Sequence, residues 1–136
     1  MSPKTTSFTT RQLPQNADVT APDGSDVRIL LALSGGSLAH FSLAPEKTSL
    51  AVTHHTVEEI WYFLGGEGEM WRRMGNQQSV VALKSGVGVP IPLGTDFQFR
   101  SCGSEPLTAV AVTMPPWPGD HEAKQTEGPW EPSPQS

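Results

Sequence analysis

The segment His54-His55-Thr56-Val57-Glu58-Glu59-Ile60-Trp61-Tyr62-Phe63-Leu64-Gly65-Gly66 joins two histidines and two glutamates to an aromatic-rich run that stops at a glycine pair. The run from Glu58 to Leu64 is short, apolar and bounded by turn residues, which is the pattern of a β-strand. In a strand, successive side chains point to opposite faces. Only one of His54 and His55, and only one of Glu58 and Glu59, can therefore face an interior.

Working outward, the same rhythm recurs along the chain. Strands are expected near residues 27–33, 38–43, 49–55, 58–64 and 68–73, and again near 78–84, 87–91, 96–100 and 107–113. Turn residues separate them, as at Ser34-Gly35-Gly36, Gly75-Asn76 and Ser85-Gly86. Phe97 and Phe99 alternate with Gln98 and Arg100, the mark of a half-buried sheet. Pro90 and Pro92 place their strand at an edge or bulge, because proline cannot donate to a ladder. Many short strands without helical periodicity predict an all-β sandwich or barrel.

Composition narrows the function classes. A chain of 136 residues suits one domain, and 13 glycines with 13 prolines suit strands punctuated by turns rather than a helical bundle. The net charge is −5 and the basic residues are scattered, so the basic face that nucleic acid requires is missing. No apolar stretch is long enough to cross a membrane. The N-terminus lacks the apolar core of a secretory signal, and the single cysteine, Cys102, excludes an intramolecular disulfide. A cytoplasmic setting is expected from these two features. Cys102 lies in a Gly-Ser turn with no basic neighbour, so no reactive thiol is expected.

The domain plan is an N-terminal arm over residues 1–24, a barrel over 25–114 and a Pro-rich tail over 115–136. Trp117 and Trp130 in that tail argue that part of it docks, on its own barrel or a partner's, since large rings left in water are costly. His121 reads as a solvated tail residue. Arg72, Arg73 and Arg100 could grip a carboxylate, although strand arginines more often serve a surface or an interface.

The central segment resembles the first conserved motif of the cupins, G-x(5)-H-x-H-x(3,4)-E-x(6)-G, with Glu59 and Gly66 matching its second half. Gly86 to Arg100 resembles the second motif, G-x(5)-P-x-G-x(2)-H-x(3)-N, through Pro92 and Gly94. The likeness covers about residues 27–114 and implies a small single-domain cupin, a jelly-roll-like double-stranded β-helix. It also implies a degenerate metal site. Counting back from Glu59 puts the motif's histidines at Val52 and His54, or at Thr53 and His55 in the alternative register. The first is preferred because Leu50, Val52 and His54 then share the inward face. The second-motif histidine falls on Phe97, and the closing asparagine on Ser101.

One imidazole and one carboxylate make a poor divalent-metal site, because three or four protein ligands are usual. Asp96, through a bulge, or His40, from a neighbouring strand, would have to complete it. The expected cofactor is therefore none, with one divalent ion (iron, manganese, zinc or nickel) on His54 and Glu59 as the alternative. Buried among Trp61, Phe63, Phe97 and Phe99, the Glu59 carboxyl should be pushed up in pKa and the His54 imidazole down.

The leading expectation is a cupin that binds a mostly apolar organic molecule and catalyses metal-independent proton transfer: isomerisation, elimination or cyclisation. His54 and Glu59 would be catalytic, and Trp61, Phe63, Phe97, Phe99, Val52 and His40 would bind substrate. A metal-dependent oxygenase or isomerase is one alternative, and a non-catalytic small-molecule binding module another. His54 and Glu59 satisfying each other's polarity, with no chemistry, fits the last. A homodimer is expected from the spare apolar arms at both ends.

Overall fold

Strong alternation along short strands needs two surfaces to bury against, and the chain supplies them as two antiparallel sheets. The computed structural model describes residues 8–134. Its strands are β1 (Val19–Thr20), β2 (Asp26–Leu33), β3 (Gly36–Leu43), β4 (Val52–His54), β5 (Glu58–Gly65) and β6 (Glu67–Met74). They continue with β7 (Gln77–Lys84), β8 (Gly88–Ile91), β9 (Asp96–Ser101), β10 (Leu107–Met114) and β11 (Ala123–Gln125). One sheet runs β1-β2-β3-β10-β5-β8, and the other β11-β4-β9-β6-β7. The fold is all-β, as expected. No helix among the described residues is long and apolar enough to cross a membrane.

The alternation of β5 sorts its residues cleanly. Glu59, Trp61 and Phe63 are buried, whereas Ile60, Tyr62 and Leu64 lie exposed on the opposite face. Small side chains on the adjacent strand make room for the large ones. Ala109 and Ala111 of β10 lie between β3 and β5 in the ladder, so the Phe41 and Trp61 rings close over them. The two rings stack at 4.7 Å and 13°. Phe63, Met70, Leu83, Phe97 and Phe99 complete a core that fills the middle of the barrel.

Gly66, between β5 and β6, has φ +79, and a Cβ there would stand 2.3 Å from the Pro106 carbonyl oxygen. Only glycine fits both the left-handed conformation and the approach. Pro90 lies on β8, the strand at the sheet edge, opposite Ile60.

Three expectations need correction. The strand near 49–55 shortens to Val52–His54, because the backbone before it bonds elsewhere: Ser49 N–H to Phe99 O, and Leu50 N–H to Asp23 O. Val19–Thr20, inside the expected arm, pairs with β2. Ala123–Gln125, inside the Pro-rich tail, pairs with β4. Proline blocks pairing only where it stands, and this triplet lies between Pro118 and Pro129 with its N–H groups free to bond. Residues 1–7 of the arm and 135–136 of the tail lie outside the described residues.

The tail lies along its own barrel. Thr126 N–H donates to Ala51 O and Ser133 N–H to Thr48 O. The Gln98 side chain acts as a backbone mimic, its amide donating to Trp130 O while its oxygen accepts Trp130 N–H. Gln98, on the outward face of β9, is thereby fully buried rather than solvated. Arg100 stacks over the Trp130 ring at 4.1 Å.

Candidate functional site

A cavity of about 540 Å³ opens between the sheets beside the core, a size that suits a small organic ligand. Its apolar wall includes Val27, Ile29, Phe41, Trp61, Phe97 and Trp117, and its polar lining includes His54, Glu59, Asp23 and Thr113 together with the Arg11–Asp18 ion pair. The inward register of β4 and β5 brings these two together. The His54 Nδ1 atom lies 3.8 Å from Glu59 Oε1, with both side chains almost completely buried.

Glu59 is held on both oxygens. Trp61 Nε1 donates to Oε1 at 2.9 Å, and Thr113 Oγ1 donates to Oε2 at 2.5 Å. Burial raises its pKa, more than these two hydrogen bonds lower it, and the charge of Glu122 adds to the rise. His54 moves the other way. Burial lowers its pKa, against the opposing pull of Glu122 and Asp23. Its Nδ1 is buried without a hydrogen-bond partner. Phe97 and Trp117 flank the imidazole edge-on, at 5.3 and 5.2 Å. Burial thus shifts both members of the pair towards their uncharged forms.

Two further carboxylates bear on His54, and sequence reasoning missed both. Asp23 lines the cavity and accepts from Ser25 N–H and Ser25 Oγ at 2.9 and 2.6 Å. Burial raises its pKa despite those bonds. The Asx pattern of Pro22-Asp23-Gly24-Ser25 announced the turn, but nothing local announced its burial. Glu122 comes from the short 3₁₀ turn Asp120–Glu122. It accepts from Thr56 N–H at 2.5 Å, Thr56 Oγ1 at 2.6 Å and Val57 N–H at 3.0 Å. Burial pushes its pKa up, but the hydrogen bonds from Thr56 and Val57 outweigh that and hold it low.

The other sequence candidates divide. Trp61 and Phe97 line the cavity. Val52, Phe63 and Phe99 do not; they belong to the packed core behind it. His40 is corrected outright. Its register partners are Arg28 and Val110, on the outward face of β3, while Ala39 and Phe41 of the same strand face the cavity. Burial, and then the Arg28 charge, lower its pKa. Asp96 is committed to Arg73 at 2.7 Å and does not line the cavity. His55 and His121 are exposed.

The donors present do not fit a resident metal. Both Glu59 oxygens already accept from neutral donors, and Phe97 stands where the second-motif histidine would be. Among the described residues no group of three or more His, Cys, Asp or Glu side chains is placed to hold an ion.

No protein-family model and no curated protein sequence matches the chain. Solved structures do. The capsular polysaccharide assembling protein CapF from Staphylococcus aureus superposes with a TM-score of 0.68 at 16% identity, over 89% of this chain and 33% of CapF. The chain therefore spans about a third of CapF's length. A predicted oxalate decarboxylase from Thermotoga maritima superposes at 0.58 with 22% identity, over 66% of this chain and 79% of that one. The cupin domain of Drosophila melanogaster CENP-C does so at 0.60 with 13% identity, over 67% and 66%. The fold is that of a cupin-type β-barrel.

Proposed function

We propose that the protein binds a mostly apolar organic molecule in its cavity and moves a proton on it without a metal, with Glu59 as acid and His54 as base. One observation carries this reading: a buried carboxyl and a buried imidazole 3.8 Å apart on the cavity wall, each shifted towards its uncharged form. An acid that holds its proton beside a base that lacks one is the resting state a proton transfer needs. In an isomerisation, His54 Nδ1 would accept a proton from the substrate while Glu59 delivers its own to another substrate atom. The proton gained by His54 would then pass to Glu59, directly across the 3.8 Å between them or through a water, and return both groups to their starting states. Trp61, Phe97 and Trp117 orient the substrate and exclude bulk water. On this reading the chain is a cupin whose metal motif has degenerated.

The test is turnover of an identified substrate by His54→Ala and Glu59→Gln. Each should lose about 10²- to 10⁴-fold in kcat while ligand binding persists. Full turnover by both variants would end the acid–base reading. Stoichiometric iron, manganese, zinc or nickel that supports turnover would replace it with the metal-dependent one.

A non-catalytic binding module is the second reading, and the Glu59 contacts favour it: a carboxyl anchored by Trp61 and Thr113 is already satisfied structurally. Unchanged ligand together with unchanged binding in Glu59→Gln would select it. We also propose a cytoplasmic homodimer. Its support is the outward strip of Ile60, Tyr62, Leu64 and Val112, all exposed. A light-scattering mass equal to one chain would refute the dimer.

A further inference from the structure

Of Arg72, Arg73 and Arg100, two pair with carboxylates. Arg73 pairs with Asp96 at 2.7 Å, and Arg100 with Glu69 at 2.6 Å. Arg72 has no carboxylate among its described contacts. It donates through one terminal nitrogen to the Pro90 carbonyl at 3.0 Å, across the seam between β6 and β8. Its Nε is buried with no hydrogen-bond partner.

Arg72 lines a second cleft, of about 600 Å³, between the β6–β7 hairpin and the segment joining β8 to β9. Gln77, Gln78, Ser79 and Thr95 line it too, and no acidic residue does. Thr95 is 4% exposed, and its Oγ1 is buried without a partner. Only four buried side-chain atoms among the described residues lack a partner, and two of them, Arg72 Nε and Thr95 Oγ1, belong to residues that line this one cleft. Buried polar groups are normally satisfied, because leaving one unpaired costs about 1–3 kcal/mol. A guanidinium without a carboxylate partner and an unused hydroxyl lining the same cleft are the donor types an oxyanion takes.

We propose that this cleft is a second binding site, separate from the cavity of His54 and Glu59, and that it takes the carboxylate or phosphate group of a small molecule on Arg72 and Thr95. The anion accepts from the guanidinium and from the Thr95 hydroxyl, with the amides of Gln77 and Gln78 at the rim. The site stands whether or not the acid–base reading of the other cavity does.

The experiment titrates the full chain with inorganic phosphate and, separately, with acetate, at constant ionic strength held by chloride, followed by NMR. A saturable shift of the Arg72 Nε–H and of backbone amides at Asn76–Ser79 and Thr95 is expected with at least one of the two anions. Saturation by phosphate alone identifies a phosphate group, and by acetate alone a carboxylate. Arg72→Gln should abolish the shift, and Thr95→Val, which keeps the side-chain shape, should weaken binding about tenfold. Shifts that never saturate with either anion, or that chloride reproduces, overturn the proposal. So does saturable binding that survives Arg72→Gln. Should that variant fail to fold, unchanged affinity in Thr95→Val overturns it on its own.

Discussion

Glu59 and Glu122 approach His54 from opposite directions, one from the middle of the barrel and one from the tail. Both are shielded from solvent, but Glu59 lies deep in the barrel and Glu122 near its surface under the tail, and their pKa values shift in opposite senses. The difference lies in the depth of burial and in the donors. Glu122 caps two backbone N–H groups and a hydroxyl at the turn before β5, an arrangement that favours a charged carboxylate. Glu59 receives one indole N–H and one hydroxyl beside an apolar cavity, too little to offset its burial. Depth of burial and the number and kind of donors together set the direction of each shift. Glu122 fastens the tail to the turn before β5, whereas burial shifts Glu59 towards its neutral form.

Removing each group in turn should break that contrast. Glu122→Ala leaves the Thr56 and Val57 N–H groups unpaired, and should cost about 2–4 kcal/mol of stability. Urea unfolding would show it as a lower midpoint with an unchanged slope. Trp117→Ala removes the aromatic wall beside His54, and should cost about 1–2 kcal/mol, because that ring is only partly buried. It should also weaken ligand binding more than it weakens kcat. Glu59→Gln should leave stability within about 1 kcal/mol of the parent, since it exchanges a neutral acid for a neutral amide. A stability loss as large as that of Glu122→Ala would show that the two carboxyls do the same structural work.

The pH dependence sharpens the comparison further. Glu122, held below its ordinary 4.5, adds stability above that pH and loses it as the pH falls through its lower folded value. Glu59, raised above 4.5, acts in reverse: its contribution is full below 4.5 and is lost as the pH rises through the folded value. His54, lowered from 6.5, also costs stability as the pH falls below 6.5, because the unfolded chain takes up a proton there that the folded chain refuses. Thermal melts across this range should show Glu59→Gln lacking the decline on the rising side. They should show Glu122→Gln lacking the one on the acid side. Identical profiles for both variants would contradict the assigned directions.

Much of the barrel was legible from the chain. Alternation along residues 58–64 separated Glu59, Trp61 and Phe63 from Glu58, Ile60 and Tyr62, and the same counting chose His54 over His55. Pro90 announced an edge strand. The misplaced cavity residues have two causes. Val52, Phe63 and Phe99 are apolar residues in strands, and periodicity does not distinguish lining a cavity from filling the core; His40 lies on the opposite face of β3 from Phe41. Gln98 obeyed its alternation and still became buried, because residues distant in sequence cover it.

What the sequence by itself determined is local: a strand's two-residue repeat decides which side chains share a face, and a phenylalanine at position 97 cannot ligate a metal wherever it sits. What only the tertiary structure decided is through space. Asp23 and Glu122 reach the surroundings of His54 from the arm and from the tail, and Trp117 closes the cavity wall beside it. Desolvation and Coulomb interactions depend on distance and burial rather than on separation along the chain. The protonation states of the site therefore belong to the folded barrel.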